Sequence, residues 1–176
     1  MRTIGLIGGM SWESTAHYYA AINREAARLL GGLHSAPLII HSVDFAPIAQ
    51  MQAAGEWDRA GAELAGIAQG LARGGAEIIG LATNTMHVVA ETITVDLPVP
   101  FLHIANPTAA ALISDGFDTV GLLGTRFTME MSFYRERLER AGLHVLIPEV
   151  DRTNLNSIIY EELCRGIVRD QSRRLY

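Results

Sequence analysis

The sequence predicts an α/β fold built from two pseudo-symmetric parallel-sheet units, the second of which is incomplete. Short β-branched apolar runs alternate with segments whose apolar residues recur at helical spacing, and this alternation is typical of parallel sheets flanked by helices. Several of the runs end in glycine, which marks a tight turn from strand to helix. With 176 residues, 49% of them hydrophobic, the chain can build the apolar core that such a fold needs.

Four strands are predicted in the first part of the chain, over residues 2–7, 37–43, 78–82 and 99–104. The first helix is expected to begin at a cap formed by Ser14 or Thr15 and to end at Gly31-Gly32. A second helix is predicted from Trp57 to Leu71, ended by Gly74-Gly75, because its apolar residues form one helical stripe. A further helix is expected to open at Asn84.

The second part repeats the pattern. Asn106-Pro107 predicts a helix start, with asparagine as the N-cap and proline at the first helical position. Strands are predicted over 119–123 and 144–147. The two helices that follow them are indicated by apolar residues at helical spacing, which are Met131, Tyr134, Leu138 and Ala141 in the first and Leu155, Ile159, Leu163 and Ile167 in the second.

These elements divide the chain into an N-terminal α/β domain, residues 1–105, and a partial second α/β domain, residues 106–176. Two strands are too few for an independently stable parallel sheet. We therefore expect the chain to be a C-terminally truncated version of a longer fold, or to complete itself with another chain.

The composition excludes several classes of function. All 14 basic residues are arginine, so no lysine can form a Schiff base with pyridoxal phosphate or reach nucleotide phosphates from a P-loop. The net charge of -5 and the absence of a basic block argue against nucleic-acid binding and against polybasic membrane binding. No apolar run approaches the length of a membrane span.

The cysteine and histidine content bears on location and on metal binding. Cys164 is the only cysteine, which excludes an intrachain disulfide and is compatible with a reducing cytoplasm, the expected location. Its position beside an apolar stripe predicts a buried, inert thiol. None of the six histidines stands at metal-ligand spacing, so no metal site is predicted.

Three strand-to-helix turns carry polar residues that can do chemistry, because ligands of such folds bind at the carboxyl ends of the strands. In the first turn, residues 8–15, backbone N–H groups and the hydroxyls of Ser11 and Ser14 can bind a carboxylate, or the glycines serve only a sharp turn. In the second, Asn84 and Thr85 can grip a carboxylate, or Thr83 and Asn84 merely cap a helix. In the third, Thr125 and Thr128 leave the same alternatives open.

The motifs taken together resemble the aspartate/glutamate racemase family, most closely its broad-specificity enterobacterial type. The resemblance covers essentially the whole chain, and its motifs occur in order. They are Gly-Gly-Met-Ser-Trp-Glu-Ser-Thr (8–15), Gly-Gly-Leu-His-Ser (31–35), Ser-Val-Asp-Phe (42–45), Gly-Glu-Trp-Asp (55–58), Thr-Asn-Thr-Met-His (83–87), Phe-Leu-His-Ile (101–104) and Leu-Gly-Thr-Arg-Phe-Thr-Met (123–129).

The resemblance implies cofactor-independent racemisation in a cleft between two α/β domains. Two opposed acid/base residues, usually cysteines, remove the α-proton from one face of the amino acid and return a proton on the other. Thr83 occupies the position of the first cysteine, as in a subset of the family, and is the implied catalytic residue. The second cysteine belongs to a Gly-Cys-Thr-Glu motif that these 176 residues do not contain, and Cys164 does not match it.

The substrate-binding residues implied by the resemblance are Met10, Gln52, Asn84, Thr85 and, as a weaker match, Thr125. The expected function is that of an amino-acid racemase, an isomerase of amino-acid metabolism acting on aspartate or glutamate, impaired or inactive in this chain. The alternative is a non-catalytic protein that binds small carboxylates or regulates a relative. The expected partners are a small amino-acid or dicarboxylate substrate and a second copy in a homodimer, with no cofactor, nucleic acid or membrane.

Overall fold

The computed structural model describes residues 1–176, which form two compact units, Met1–Leu102 and His103–Tyr176. Both units combine parallel strands with helices, so the predicted α/β class is confirmed. No helix is both long enough and apolar enough to cross a membrane.

The first unit is built on a four-stranded parallel sheet in the order β2-β1-β3-β4. Its strands are β1 (Ile4–Gly8), β2 (Leu38–Ser42), β3 (Ile78–Leu81) and β4 (Phe101–Leu102). Its helices are α1 (Trp12–Leu30), α2 (Phe45–Ala54), α3 (Trp57–Arg73) and α4 (Ala90–Thr94), with a 3₁₀ segment at Thr85–Val89. The central strand β1 is buried along nearly its whole length, as expected for a parallel strand between two neighbours.

The core of this unit lies between the sheet and α3. The buried residues of α3 are Ala60, Gly61, Leu64, Ala68 and Leu71, at helical spacing on one face. They pack with Ile7 and Ile79, neither of which has any exposed surface. The predicted apolar stripe of this helix is thereby confirmed, and Gly74 is its C-cap as expected.

The second unit has a two-stranded parallel sheet and its own smaller core. Its strands are β5 (Thr119–Gly121) and β6 (His144–Leu146), and its helices are α5 (Ala105–Ser114), α6 (Arg126–Glu130), α7 (Ser132–Arg140), α8 (Arg152–Glu161) and α9 (Asp170–Leu175). Its core residues are Ala105, Ala109, Leu122, Tyr134, Leu138, Leu143 and Val145.

Several helix boundaries differ from the predictions. Helix α1 begins earlier, because Ser11 is the N-cap in place of Ser14 or Thr15. Helix α5 also begins earlier, at Ala105, so Asn106 lies inside the first turn and caps nothing; the backbone N–H of Ala105 instead donates to Nδ1 of His103 at 3.2 Å. A histidine ring that reaches the helix start has replaced the expected asparagine cap.

Two predicted helices of the second unit are wrong in extent. The helix expected through Met131 is divided into α6 and α7, because Met131 has extended backbone angles. Helix α8 ends at Glu161, and the expected continuation through Leu163 and Ile167 is a 3₁₀ turn that stops at Gly166, whose φ of 69° is left-handed. The buried residues of α8 are Leu155 and Ile158 rather than the predicted Ile159.

Helix α2 has no counterpart among the predicted elements. Its signal is local: the side chain of Asp44 accepts a hydrogen bond from the N–H of Ala46 at 3.1 Å and caps the helix. Pro47 is compatible with the first turn, where no intrahelical N–H bond is needed. The helix carries Gln52, one of the residues that the resemblance implies for substrate binding.

The turn after β1 requires glycine for two distinct reasons. A Cβ at Gly8 would lie 2.4 Å from Cγ2 of Thr15. Gly9 has a φ of 91°, and a Cβ there would lie 2.3 Å from the backbone oxygen of Val43. The glycines therefore permit close contact with α1 and with the segment that follows β2.

We expect Gly9→Ala to destabilise the protein far more than Gly75→Ala. Gly75 has a comparable φ of 100°, but a Cβ there meets nothing within 4 Å, so its substitution costs only the left-handed strain of about 1–2 kcal/mol. Gly9→Ala adds a clash with backbone atoms, which raises the cost above about 3 kcal/mol. Denaturant unfolding of both variants measures the difference, and equal losses of stability would contradict the close approach.

Candidate active site at the carboxyl ends of β1 and β3

The strand order of the first unit indicates where a ligand crevice is expected. Strand β2 lies on one side of β1, and the chain then returns to place β3 on the other side of β1. In open α/β sheets, ligands bind where the strand order reverses in this way, outside the carboxyl ends of the strands. Here the reversal lies between β1 and β3, so the crevice is bordered by the turn after Gly8 and the turn after Leu81.

Hydrogen bonds hold these two turns beside each other. Ile7 is paired with Leu81 in the register of the sheet, and the N–H of Ala82 donates to the carbonyl oxygen of Ile7 at 2.8 Å. The hydroxyl of Ser14, in the first turn of α1, donates to the carbonyl oxygen of Ala82 at 3.3 Å. The residue just before Thr83 is thus bound to both β1 and α1.

The predicted carboxylate-binding hydroxyls of the first turn have other partners. Oγ of Ser11 accepts from the N–H of Ser14 at 3.4 Å, and the hydroxyl of Ser14 also donates to the carbonyl oxygen of Ser11. Oγ1 of Thr15 accepts from the N–H of Gly9 at 2.8 Å and donates to the carbonyl oxygen of Ser11. These side chains organise the start of α1, and the structure favours the structural role for them.

The turn after β3 presents its polar side chains differently. Asn84 is exposed and Thr83 is half-buried, whereas Thr85 is only 4% exposed. Asn84 stands in the N-cap position of the 3₁₀ segment, yet its side chain makes no capping hydrogen bond. The capping explanation for Asn84 is therefore wrong, and its side chain is exposed directly after the turn from β3.

Met10 and Gln52 form the buried surroundings of this turn. Met10 follows Gly9 directly and is 5% exposed, in the same core cluster as Met51 and Met86. Gln52, 2% exposed, donates from Nε2 to the sulfur of Met86 at 3.0 Å. This bond joins helix α2 to the segment that begins with Thr85. Thr83 and four of the predicted substrate-binding residues lie in the first unit; the four are Met10, Gln52, Asn84 and Thr85.

Thr125 belongs to the second unit, where it ends the loop after β5. Its Oγ1 accepts from the N–H of Thr128 at 3.2 Å and caps α6. The two hydroxyls also lie 3.2 Å apart, and a Cβ at Gly124 would lie 3.0 Å from Cβ of Thr128. Here the capping explanation is confirmed for Thr125. Gly124 packs on Thr128 in the same way as Gly8 packs on Thr15 in the first unit.

Cys164 differs from its prediction. It is half-buried in the 3₁₀ turn Leu163–Arg165 rather than fully buried, because α8 has already ended. Desolvation raises the pKa of the neighbouring Tyr160 phenol to about 12, with a smaller contribution from Cys164 in the same direction. No cluster of three or more histidine, cysteine, aspartate or glutamate side chains is arranged to hold a metal ion.

The comparison with known families decides what kind of protein this is. The model of the Asp/Glu/Hydantoin racemase family matches residues 7–176. This chain belongs to that family.

Solved structures of other racemase-family chains share the fold. A candidate Asp/Glu racemase from Yersinia pestis has 52% sequence identity and a TM-score of 0.89, over 100% of this chain and 77% of the other. An aspartate racemase homologue from Pyrococcus horikoshii has 35% identity and a TM-score of 0.80, over 99% of this chain and 76% of the other. An aspartate racemase from Picrophilus torridus has 21% identity and a TM-score of 0.75, over 91% of this chain and 68% of the other. At this low identity the similarity supports a shared fold only.

We expect the two turns to respond differently when a polar side chain is removed. Thr125→Ala loses a helix cap and should lower the free energy of unfolding by about 1 kcal/mol. Asn84→Ala removes no cap and should change it by less than about 0.5 kcal/mol. Urea unfolding of both variants makes the comparison. A loss for Asn84→Ala as large as that for Thr125→Ala would restore the capping role of Asn84.

Proposed function

We propose that this chain binds aspartate or glutamate in the crevice between β1 and β3 and that its chemistry is proton transfer at Cα without a cofactor. The observation that carries the proposal is the exposed side chain of Asn84 beside the half-buried Thr83 at the point where the strand order reverses. Asn84 serves no cap there. Membership of the Asp/Glu/Hydantoin racemase family supports the choice of reaction.

Proton transfer at Cα needs hydrogen-bond donors at the substrate's α-carboxylate. When the Cα–H bond breaks, the proton passes to the base and the electron pair spreads into the carboxylate, which gains negative charge. The amide of Asn84 and the backbone N–H groups of the turn are donors of the right kind. The site takes its shape from the buried side chains of Met10, Gln52 and Thr85.

Thr83 is the proposed acid/base residue on one face of Cα. A threonine hydroxyl is a far weaker acid than a cysteine thiol, so the alkoxide that would accept a proton is scarce at neutral pH. We therefore propose that the chain binds its substrate and that proton transfer through Thr83 is slow.

Calorimetry with aspartate, glutamate and succinate tests binding. We expect binding at millimolar ligand or below, and a dissociation constant about tenfold higher in Asn84→Ala, because a hydrogen bond to a charged group is lost. Asn106→Ala is the matched control, since Asn106 is also exposed and also caps nothing. Absence of binding at millimolar concentrations, or equal losses in both variants, would contradict the proposed site.

Exchange of the α-proton of L-aspartate in heavy water tests the chemistry. We expect Thr83→Cys to accelerate exchange by about 10- to 100-fold, because a thiolate is accessible near neutral pH. Thr94→Cys is the control, since it places a thiol on the exposed end of α4.

Equal rates in these two variants would contradict a catalytic position for Thr83. Racemisation by the unaltered chain at a turnover on the order of 1 per second would overturn the proposed impairment. Ligand binding with no exchange in any variant would favour the alternative, a non-catalytic carboxylate-binding protein.

A further inference from the structure

Strand β2 lies at the edge of the four-stranded sheet, and one of its two sides pairs with no strand. On the other side, the carbonyl oxygen of Pro37 accepts a hydrogen bond from β1 and the N–H of Val43 donates one to it. Successive residues of a strand direct their backbone groups to opposite sides, so the N–H and carbonyl groups of Leu38, Ile40 and Ser42 point away from β1. These groups form a row that is open to another strand.

Strand β2 also lacks the features that usually protect an edge strand from pairing. Such edges are commonly blocked by charged side chains, proline or a bulge. The strand Leu38–Ser42 contains no Lys, Arg, Asp, Glu or Pro, and its register with β1 is continuous. Ile40, His41 and Ser42 are all exposed although successive side chains point to opposite faces, so this end of the strand is uncovered on both faces.

The side of α1 nearest to β2 is apolar and exposed. Trp12, Tyr19 and Leu30 lie on the same face of the helix as Asn23, at spacings of four and seven residues. Oδ1 of Asn23 accepts from the N–H of Ala36, just before β2, at 3.0 Å, which shows that this face is directed toward β2. Trp12 and Tyr19 are 66% and 51% exposed. The open strand edge and the apolar side of α1 together form what we call the edge surface.

The distribution of charge favours a second copy of the chain as the occupant of the edge surface. The charged residues in the second half of α1, Arg24, Glu25 and Arg28, lie on other sides of the helix, and Arg28 pairs with Glu25 at 2.6 Å. An uncharged surface offers nothing to attract a charged partner, but it can meet a copy of itself without burying an unpaired charge. A strand that pairs with its own copy about a twofold axis does so in antiparallel direction.

The area of the edge surface is compatible with such a dimer. Each partner of a stable interface buries about 800 Å². The exposed parts of Trp12 and Tyr19 come to roughly 250 Å². Leu30 and Ile40, which are 51% and 37% exposed, extend the apolar area along the helix and the strand. These side chains supply about half of the required area, and the paired strands contribute further.

We propose that a second copy of this chain pairs with β2, so that the two β2 strands run antiparallel about a twofold axis at Ile40. Ile40 is the middle residue of β2. With Ile40 on the axis, Leu38 of each copy lies opposite Ser42 of the other, and the outward backbone groups of all three residues are paired. The two four-stranded sheets become one sheet of eight strands, with the apolar sides of the two α1 helices facing each other on one face of it.

Sedimentation equilibrium of the full chain tests the dimer and its interface. We expect a dimer with a dissociation constant in the micromolar range or below. In Ile40→Lys this constant should rise at least about 100-fold, because two like charges would lie opposite each other at the axis. Ile113→Lys is the matched control, since Ile113 is an exposed isoleucine of the second unit. A chain that stays monomeric at about 0.1 mM, or equal effects of the two substitutions, would overturn the proposal.

Disulfide cross-linking decides the matter if Ile40→Lys does not fold. Opposite Cα atoms in a hydrogen-bonded antiparallel pair are about 5.5 Å apart, a distance that suits a disulfide. With the native thiol removed by Cys164→Ser, Ile40→Cys should form a disulfide between two copies on oxidation, and Ile113→Cys should not. No disulfide in Ile40→Cys, or equal yields in both variants, would overturn the pairing of β2 with its copy.

Discussion

Backbone packs directly against backbone at the end of β1, and this contact shapes the first unit. Strand β1 lies between two parallel neighbours, and the turn after it must pass beside Val43 and beneath the start of α1. The N–H of Val43 donates to the carbonyl oxygen of Gly8 at 3.0 Å, so the end of β2 is tied to this turn. Only residues without a Cβ fit at positions 8 and 9. This geometry leaves the crevice on the β3 side open to polar side chains.

The distribution of hydrogen bonds determines which of these side chains can act on a ligand. Ser11 and Thr125 cap helices, and Thr15 binds the backbone of the first turn. At the same edge of the sheet, Asn84 occupies a cap position without making the cap bond. Similar residue types in similar turns therefore serve different purposes. The proposed site is centred on Thr83 and on Asn84, whose side chain makes no capping bond.

The sequence was informative where one local signal decides the structure. Each strand of the sheet and α3 followed from apolar runs, helical spacing and terminal glycines. Predictions failed where a helix boundary depended on side-chain hydrogen bonds that the periodicity of apolar residues does not reveal. His103 reaches the start of α5 and displaces Asn106 as its cap, while the bonds from Ser172 to the carboxylate of Glu162 accompany the end of α8. Helix α2 had a local signal in Asp44 and Pro47, but it has no long apolar stripe to reveal it.

Periodicity, composition and the order of residues along the chain were enough to predict the α/β class, the motifs of the racemase family and the residue types available for chemistry. Tertiary structure decided which of the polar residues became caps and which remained at the crevice. It also decided that one oxygen of Glu13 would be buried without a donor. Both outcomes depend on which turns the sheet places side by side, and that arrangement follows from strand order and register together with the bonds that Ala82 and Ser14 make across the two turns.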